Sequence, residues 1–388
     1  MTRPLSTRIT SMAGSATVQV MNKARALKRQ GIDLMDLGGG DPDFDTPRHI
    51  QDAAIKSMQS GFTHYVPSSG IPELRKAIAQ KLAKDNGVEV DPDKGIIVTS
   101  GGKLALYAGV LALVDEGDEV ILPEPAWVSY PPIIQLAGGK TVPLSLTSRN
   151  GFSITAEALK ALITPRTKLI ILNSPSNPTG KVLTRGELDM IAAAAIANDL
   201  YVITDEIYEK IIFDGREHIS IASLPGMAER TLVINGMSKA YAMTGWRLGY
   251  LAGPAELMKE ISKIQEQTAT CAPSFVQVGG LAALEGPQEV VGQMSAEYER
   301  RRNFFVDMLN DIPHVSCFKP EGAFYAFPRF DLGLNSIQLA DMLLEKARVA
   351  GTPGSAFGAA GEGHVRFSFA TSPKDLETAA LRIKEALS

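Results

Sequence analysis

Between residues 95 and 251 the chain alternates short, almost unbroken apolar runs with helical stretches, and that alternation restricts the fold more than any other feature. The runs are Ile96-Ile97-Val98-Thr99, residues 119–122, residues 168–172, Tyr201-Val202-Ile203-Thr204, Thr231-Leu232-Val233-Ile234 and residues 248–251. A strand with one wet face alternates apolar and polar residues. A run that is apolar at almost every position needs cover on both faces, which crossover helices give to parallel strands. The pattern predicts an α/β fold, a mostly parallel sheet covered by helices. Ser100, Trp127, Asn177, Asp205 and Lys239 all fall just after these strands. Ligands of open α/β sheets bind at the carboxyl edge, and unrelated structural roles would scatter such residues over both edges, so the coincidence points to one site.

The rest of the 388 residues exceeds one small core and predicts a second, α+β lobe. Residues 16–30 read as a helix and residues 32–37 as a strand running into Gly38-Gly39-Gly40-Asp41-Pro42-Asp43-Phe44, which lacks the dinucleotide spacing GxGxxG. Helices are expected from Thr46-Pro47 to residue 58 and from Pro72 onward, separated by a turn-rich segment that carries Tyr65. A helical stretch from residue 257, broken near Pro273 and Gly286-Pro287, reaches about residue 309; its Arg300-Arg301-Arg302 run is read as a solvated face. Strands are expected near residues 315–318, 322–327 and 363–368.

Composition excludes several classes. A net charge of -4, with no long basic run, disfavours nucleic acid and anionic membranes. No apolar span reaches membrane length and the N-terminus lacks an apolar signal core. Cys271 and Cys317 stand far apart and no histidine pair has HExxH spacing, so no disulfide framework or metal centre is indicated and a cytoplasmic setting is expected.

The candidate residues carry recognisable chemistry. Lys239 lies among Gly, Ser and Ala residues between two predicted buried strands, where desolvation would make its amine a nucleophile toward carbonyls; a loop lysine reaching water is the alternative. Arg247 adds a permanent cation nearby. Ser100-Gly101-Gly102-Lys103 opens a helix and forms either a phosphate cradle or a tight βα turn. Trp127 stacks on a planar ligand or fills the core, and Asn177-Pro178 sits in a dense turn open to a cis peptide. Asp205, at a strand end, either needs a cation or caps the next helix. An amine, a buried carboxylate, a phosphate cradle and a stacking aromatic together match pyridoxal 5'-phosphate.

Residues 236–249 resemble the lysine signature of class I (fold type I) pyridoxal-phosphate-dependent aminotransferases, and residues 173–180, 205–208 and 40–44 resemble that family's other signatures. Ala126-Trp127-Val128-Ser129-Tyr130 and Ala242-Met243-Thr244-Gly245-Trp246-Arg247 resemble in particular the subgroup I-gamma, bacterial-type aspartate and prephenate aminotransferases. The resemblance implies the fold type I architecture, with a large cofactor domain at 46–285 and a small domain made of 1–45 and 286–388. It further implies that Lys239 forms the internal aldimine and shuttles the substrate proton, that Asp205 holds the ring nitrogen protonated, and that Tyr208 and Asn177 bond the phenolic oxygen. Gly102, Lys103 through its backbone, Ser238 and Arg247 would hold the phosphate, Trp127 would stack on the ring, and Arg366 with the backbone of Gly40 would grip the substrate α-carboxylate. Tyr65 would reach the phosphate of the other subunit, implying a homodimer with shared sites.

Aspartate to 2-oxoglutarate transfer by a ping-pong aldimine/ketimine mechanism is the activity this resemblance implies first; a transaminase for aromatic or neutral amino acids or prephenate, or a lyase, stands behind it. Lys103, in its Gly-Gly-Lys turn, matches the cation that resembling aspartate enzymes direct at the distal carboxylate. Ala13-Gly14, where dicarboxylate-accepting relatives commonly carry Lys-Pro, departs from the pattern and weakens the prephenate reading.

Overall fold

Seven strands form the central sheet among the described residues, in the order Ile96–Thr99, Gly249–Ala252, Thr231–Gly236, Tyr201–Asp205, Thr167–Asn173, Glu119–Glu124 and Lys140–Ser145. All run parallel except Gly249–Ala252, which is antiparallel to both neighbours. These positions come from a computed structural model that describes every residue except Met1, Thr2, Pro4, Ser11, Ala13, Ser15 and Ser388, and the backbone alone of Ala16, Thr17, Val18, Gln19, Met21, Arg25 and Lys28. The departure at Ala13 therefore lies outside the described residues.

Alternate residues of each strand enter opposite layers, as the pleat requires. Ile97, Ile203 and Leu251 pack with the helices Gly102–Leu113 and Ala255–Thr268, whereas Ile96, Val98 and Tyr250 pack with Pro72–Lys81 and Ser274–Glu285. Ile170 and Val202 meet the helix Arg185–Ala197. Full burial of each such aliphatic side chain contributes about 1.5–3 kcal/mol. The expected mostly parallel sheet is thus present.

Local chemistry sets the element ends. Thr184 caps Arg185–Ala197 in a capping box with Glu187, and Pro72 sits at the first helical position of Pro72–Lys81. The strand Lys140–Ser145 escaped the sequence reading because Pro143 interrupts its pattern; it lies at the sheet edge, where a missing N–H is tolerated. The predicted strand at 32–37 shrinks to Met35–Asp36, which pairs with Val349–Ala350 and so ties the N-terminal segment to the C-terminal part of the chain. There, Val365–Ser368 lies between Tyr325–Ala326 and Thr352–Pro353.

The arginine run requires a correction. Only Arg300 is exposed, while Arg301 and Arg302 are buried in the helix Glu289–Asn310. Arg302 forks onto Asp214 with both contacts at 2.8 Å, and Arg301 binds Asp43 and Glu297 at 2.8 Å. Consecutive helical residues point about 100° apart, so three in a row cannot share one solvated face of a helix that packs on more than one side.

Candidate active site

Loops leaving the carboxyl ends of five parallel strands converge on one cavity of about 440 Å³. The antiparallel strand Gly249–Ala252 starts at this same edge, which is how Arg247 joins them.

At one end lies a cationic cradle. Gly101 caps the helix Gly102–Leu113 with φ +89°, a left-handed conformation that favours glycine. A Cβ there would stand 2.5 Å from Nη2 of Arg247, so the guanidinium rests against the backbone at the helix start, where free N–H groups and the helix dipole also attract anions. Arg247 itself adopts φ +56° and donates to the Thr244 carbonyl at 3.0 Å. Ser238 and Gly102 line the same end.

Asp205 is the last residue of its strand, beside Asn173 in register. Tyr130 donates to its Oδ2 at 2.8 Å, and the Ile207 N–H approaches Oδ1 at 3.3 Å. Burial outweighs these bonds and raises the carboxyl to about 6. The Tyr208 and Tyr325 hydroxyls are 2.8 Å apart. Trp127 stands edge-to-face with Tyr130, and the Lys103 ammonium lies 4.9 Å from the Trp127 ring centroid. Burial, followed by the charge of Arg247, lowers the Lys103 pKa.

Lys239 Nζ donates to the Gly40 carbonyl and lies 5.6 Å from the Phe324 ring centroid and 5.9 Å from that of Tyr208. Desolvation lowers its pKa to about 8, with Asp41 opposing and Arg366 and Arg247 assisting. The amine is therefore far closer to neutrality at physiological pH than an ordinary lysine.

Arg366 closes the cavity from the strand Val365–Ser368. Its guanidinium donates to Asn177 Oδ1 at 3.0 Å and to the Gly38 and Gly39 carbonyls at 2.8 and 3.3 Å, with Nε unpartnered and no carboxylate paired to it among the described residues. The three-glycine segment lets this backbone lie close by: a Cβ on Gly40 would stand 2.9 Å from the Tyr325 hydroxyl. The Asn177-Pro178 peptide is cis, as are Glu124-Pro125 and Ser174-Pro175.

Gly40, Gly102, Lys103, Trp127, Asn177, Asp205, Tyr208, Ser238, Lys239, Arg247 and Arg366 all line the cavity. Tyr65 does not; it is 85% exposed, and Ile55, Met58 and Phe62 are also exposed nearby in the chain. Sequence reasoning missed Tyr130, Tyr325 and Asp41 as lining residues. Tyr130 lies three residues past Trp127, a usable signal, and Asp41 follows the glycines; Tyr325 sits on a two-residue strand with no local pattern.

A family profile described as "Aminotransferase class I and II" matches residues 32–383. The chain is 46% identical over 386 residues to an aspartate aminotransferase of Geobacillus stearothermophilus, covering 98% of each. It is 43% identical over 384 residues to aromatic-amino-acid aminotransferase 2 of Thermococcus litoralis, covering 97% of this chain and 98% of that one. Among solved structures, aspartate aminotransferase from Thermus thermophilus with maleate superposes with a TM-score of 0.95 at 42% identity, covering 99% of this chain and 100% of the other.

Proposed function

We propose that this chain, which belongs to the class I and II aminotransferases, transfers the amino group of aspartate to 2-oxoglutarate in a ping-pong exchange that uses pyridoxal 5'-phosphate. The observation that carries the substrate side is Arg366, a buried guanidinium with no carboxylate partner among the described residues, which opens on the same cavity as Lys239 and Asp205. A buried charge is costly until it meets an opposite one, and an amino acid or 2-oxo acid brings the missing carboxylate.

The residues present fit the cofactor. The cradle of Gly101, Gly102 and Arg247 suits a phosphate, and Asp205 is a buried carboxylate short of a cation. When bound, the cofactor supplies an aldehyde for an amine and a ring that accepts electrons. Lys239 holds it through Nζ and carries the substrate proton to and from Cα; Asp205 keeps a proton on the ring nitrogen. Ser238, Gly102 and the Lys103 backbone bind the phosphate. Tyr208 and Asn177 orient the phenolic oxygen, and Trp127 covers the ring face. Arg366 holds the α-carboxylate while Gly40 lines the other side.

Arg366→Ala is expected to weaken every amino and oxo acid alike, costing roughly 2–5 kcal/mol in kcat/KM because the pair is desolvated. A loss confined to one substrate class would count against the grip. Lys103 is proposed to read the distal carboxylate. Its flexible stem can place a point charge on an acidic substrate and withdraw it for a neutral one. Lys103→Ser should lower kcat/KM for aspartate and glutamate by about 1.5–3 kcal/mol and spare a neutral donor; equal losses for alanine would overturn this. That a similar structure is solved with maleate, a dicarboxylate, supports an acidic substrate.

The Thermococcus litoralis relative favours a second reading, aromatic donors. A donor screen against 2-oxoglutarate separates the two, and ammonia release without an oxo acid would instead reveal a lyase. The small domain is taken as 1–45 with 286–388 and the cofactor domain as 46–285. A homodimer is also proposed, with the exposed Tyr65, Ile55, Met58 and Phe62 at its interface and Tyr65 reaching the phosphate of the other subunit. Free Cys271 and Cys317 suit a cytoplasmic setting, and no described helix is long and apolar enough to cross a membrane.

A further inference from the structure

Behind the turn that carries Asp205 and Tyr208 lies a second set of buried charges. Asp205 and Tyr208 line the cavity, whereas Glu206 and Glu209 turn to the opposite side and meet residues of a helical segment ending at Asn86. Asn86 Nδ2 donates to Glu209 at 2.7 Å and to Glu206 at 3.0 Å. The Lys81 ammonium pairs with Glu209 and donates to Asn86 Oδ1 at 2.7 Å. His218 Nε2 stands 3.0 Å from Glu206, whose other oxygen accepts from Ser220 at 2.6 Å and Thr204 at 3.2 Å. Glu206 is fully buried and adjoins Asp205 in the chain.

Two carboxylates and two cations cancel here only while His218 is protonated. Burial alone would deprotonate His218, but Glu206 and then Glu209 outweigh it and raise its pKa. Burial likewise opposes the ionised form of Glu209, yet Lys81, His218 and the bonds from Lys81 and Asn86 hold it at about 2. Tyr241 and Tyr250, with raised pKa values, and the Asp85–Lys210 pair at 2.7 Å complete the titratable surroundings. An uncompensated Glu206 charge pushes a proton onto Asp205, since like charges oppose each other strongly in a dry interior.

We propose that this cluster is an electrostatic counterweight for the active site, in which His218 neutralises Glu206 and thereby keeps Asp205 ionised, making both positioning residues for the reaction. The inference rests on the role of Asp205 given above. A neutral cluster leaves the Asp205 carboxylate free to hold the ring nitrogen as a cation; a negative one draws that proton back to the carboxyl.

The test uses the full chain and isosteric changes. The Asp205 carboxyl, followed by carbon-13 NMR before cofactor is added, should titrate about one pH unit higher in His218→Gln and lower in Glu206→Gln. The double variant should return close to the parent. At pH 7 a one-unit rise takes the ionised share of Asp205 from about nine-tenths to about a half, so His218→Gln should weaken binding of pyridoxal phosphate about twofold, and Glu206→Gln should not. A structural salt bridge would move both variants the same way, and that result, or no movement, overturns the proposal. Should the cluster variants fail to fold, Asp205→Asn provides the reciprocal arm: removing that charge must lower the pKa of the His218 imidazole, and an unmoved His218 overturns the coupling. Failure of the parent to bind pyridoxal phosphate would sink the cofactor reading instead, and the Asp205–His218 coupling is measured without it.

Discussion

Replacing Lys239 with alanine is expected to abolish turnover, a fall of roughly six powers of ten at about 1.4 kcal/mol each, while the chain still binds pyridoxal phosphate without a covalent bond. Lys239 is proposed to do two things that no neighbour can take over: bond the cofactor through Nζ and carry the proton at Cα. Lys103 lies against the Trp127 ring, and Arg247 and Arg366 carry guanidinium groups rather than amines. Borohydride reduction of the loaded protein followed by peptide mapping should find the pyridoxyl group on Lys239, and label on another lysine would overturn the assignment. The pH dependence has a definite sign. Only the unprotonated amine attacks an aldehyde, and with a pKa of about 8 that form makes up about a tenth of molecules at pH 7 and most of them at pH 9. Capture of pyridoxal phosphate by the cofactor-free chain should accelerate as pH rises through 8.

The second large effect belongs to Asp205. Asp205→Asn keeps the shape and still offers an oxygen to Tyr130, which donates to the carboxylate at 2.8 Å, but it removes the charge. Asp205 is proposed to keep a proton on the ring nitrogen, and without that charge the ring would take up electrons poorly, so kcat should fall by roughly three to four powers of ten. Binding of the phosphate end, which the cavity residues Gly102 and Arg247 are proposed to hold, should change far less. Near-normal kcat in this variant would refute the role. The two losses differ in kind, and single-turnover measurements of cofactor capture against kcat tell them apart.

Much of this site could be read from the chain because of one topological fact. When strands run parallel, every carboxyl end falls on the same sheet edge, so a residue just after a strand is already placed without knowledge of any distant contact. Trp127, Asn177, Asp205 and Lys239 obey that rule, and the cradle at Gly101 needs only a strand, a glycine and a helix start in sequence. Arg366 depended on family resemblance, because a short antiparallel strand has no comparable positional rule.

What the amino-acid sequence determined by itself was therefore whatever local pattern expresses: the apolar runs, the helix starts, the strand-end chemistry. Tertiary structure alone decided which charges are buried and what they meet. Arg302 reaches Asp214 across 88 residues, Glu206 reaches Asn86 across 120, and Tyr325 reaches Tyr208 across 117. Such partners share no period or spacing, since each is brought to its place by the packing of different elements. The free energy of a buried charge depends on that meeting rather than on its own neighbours in the chain.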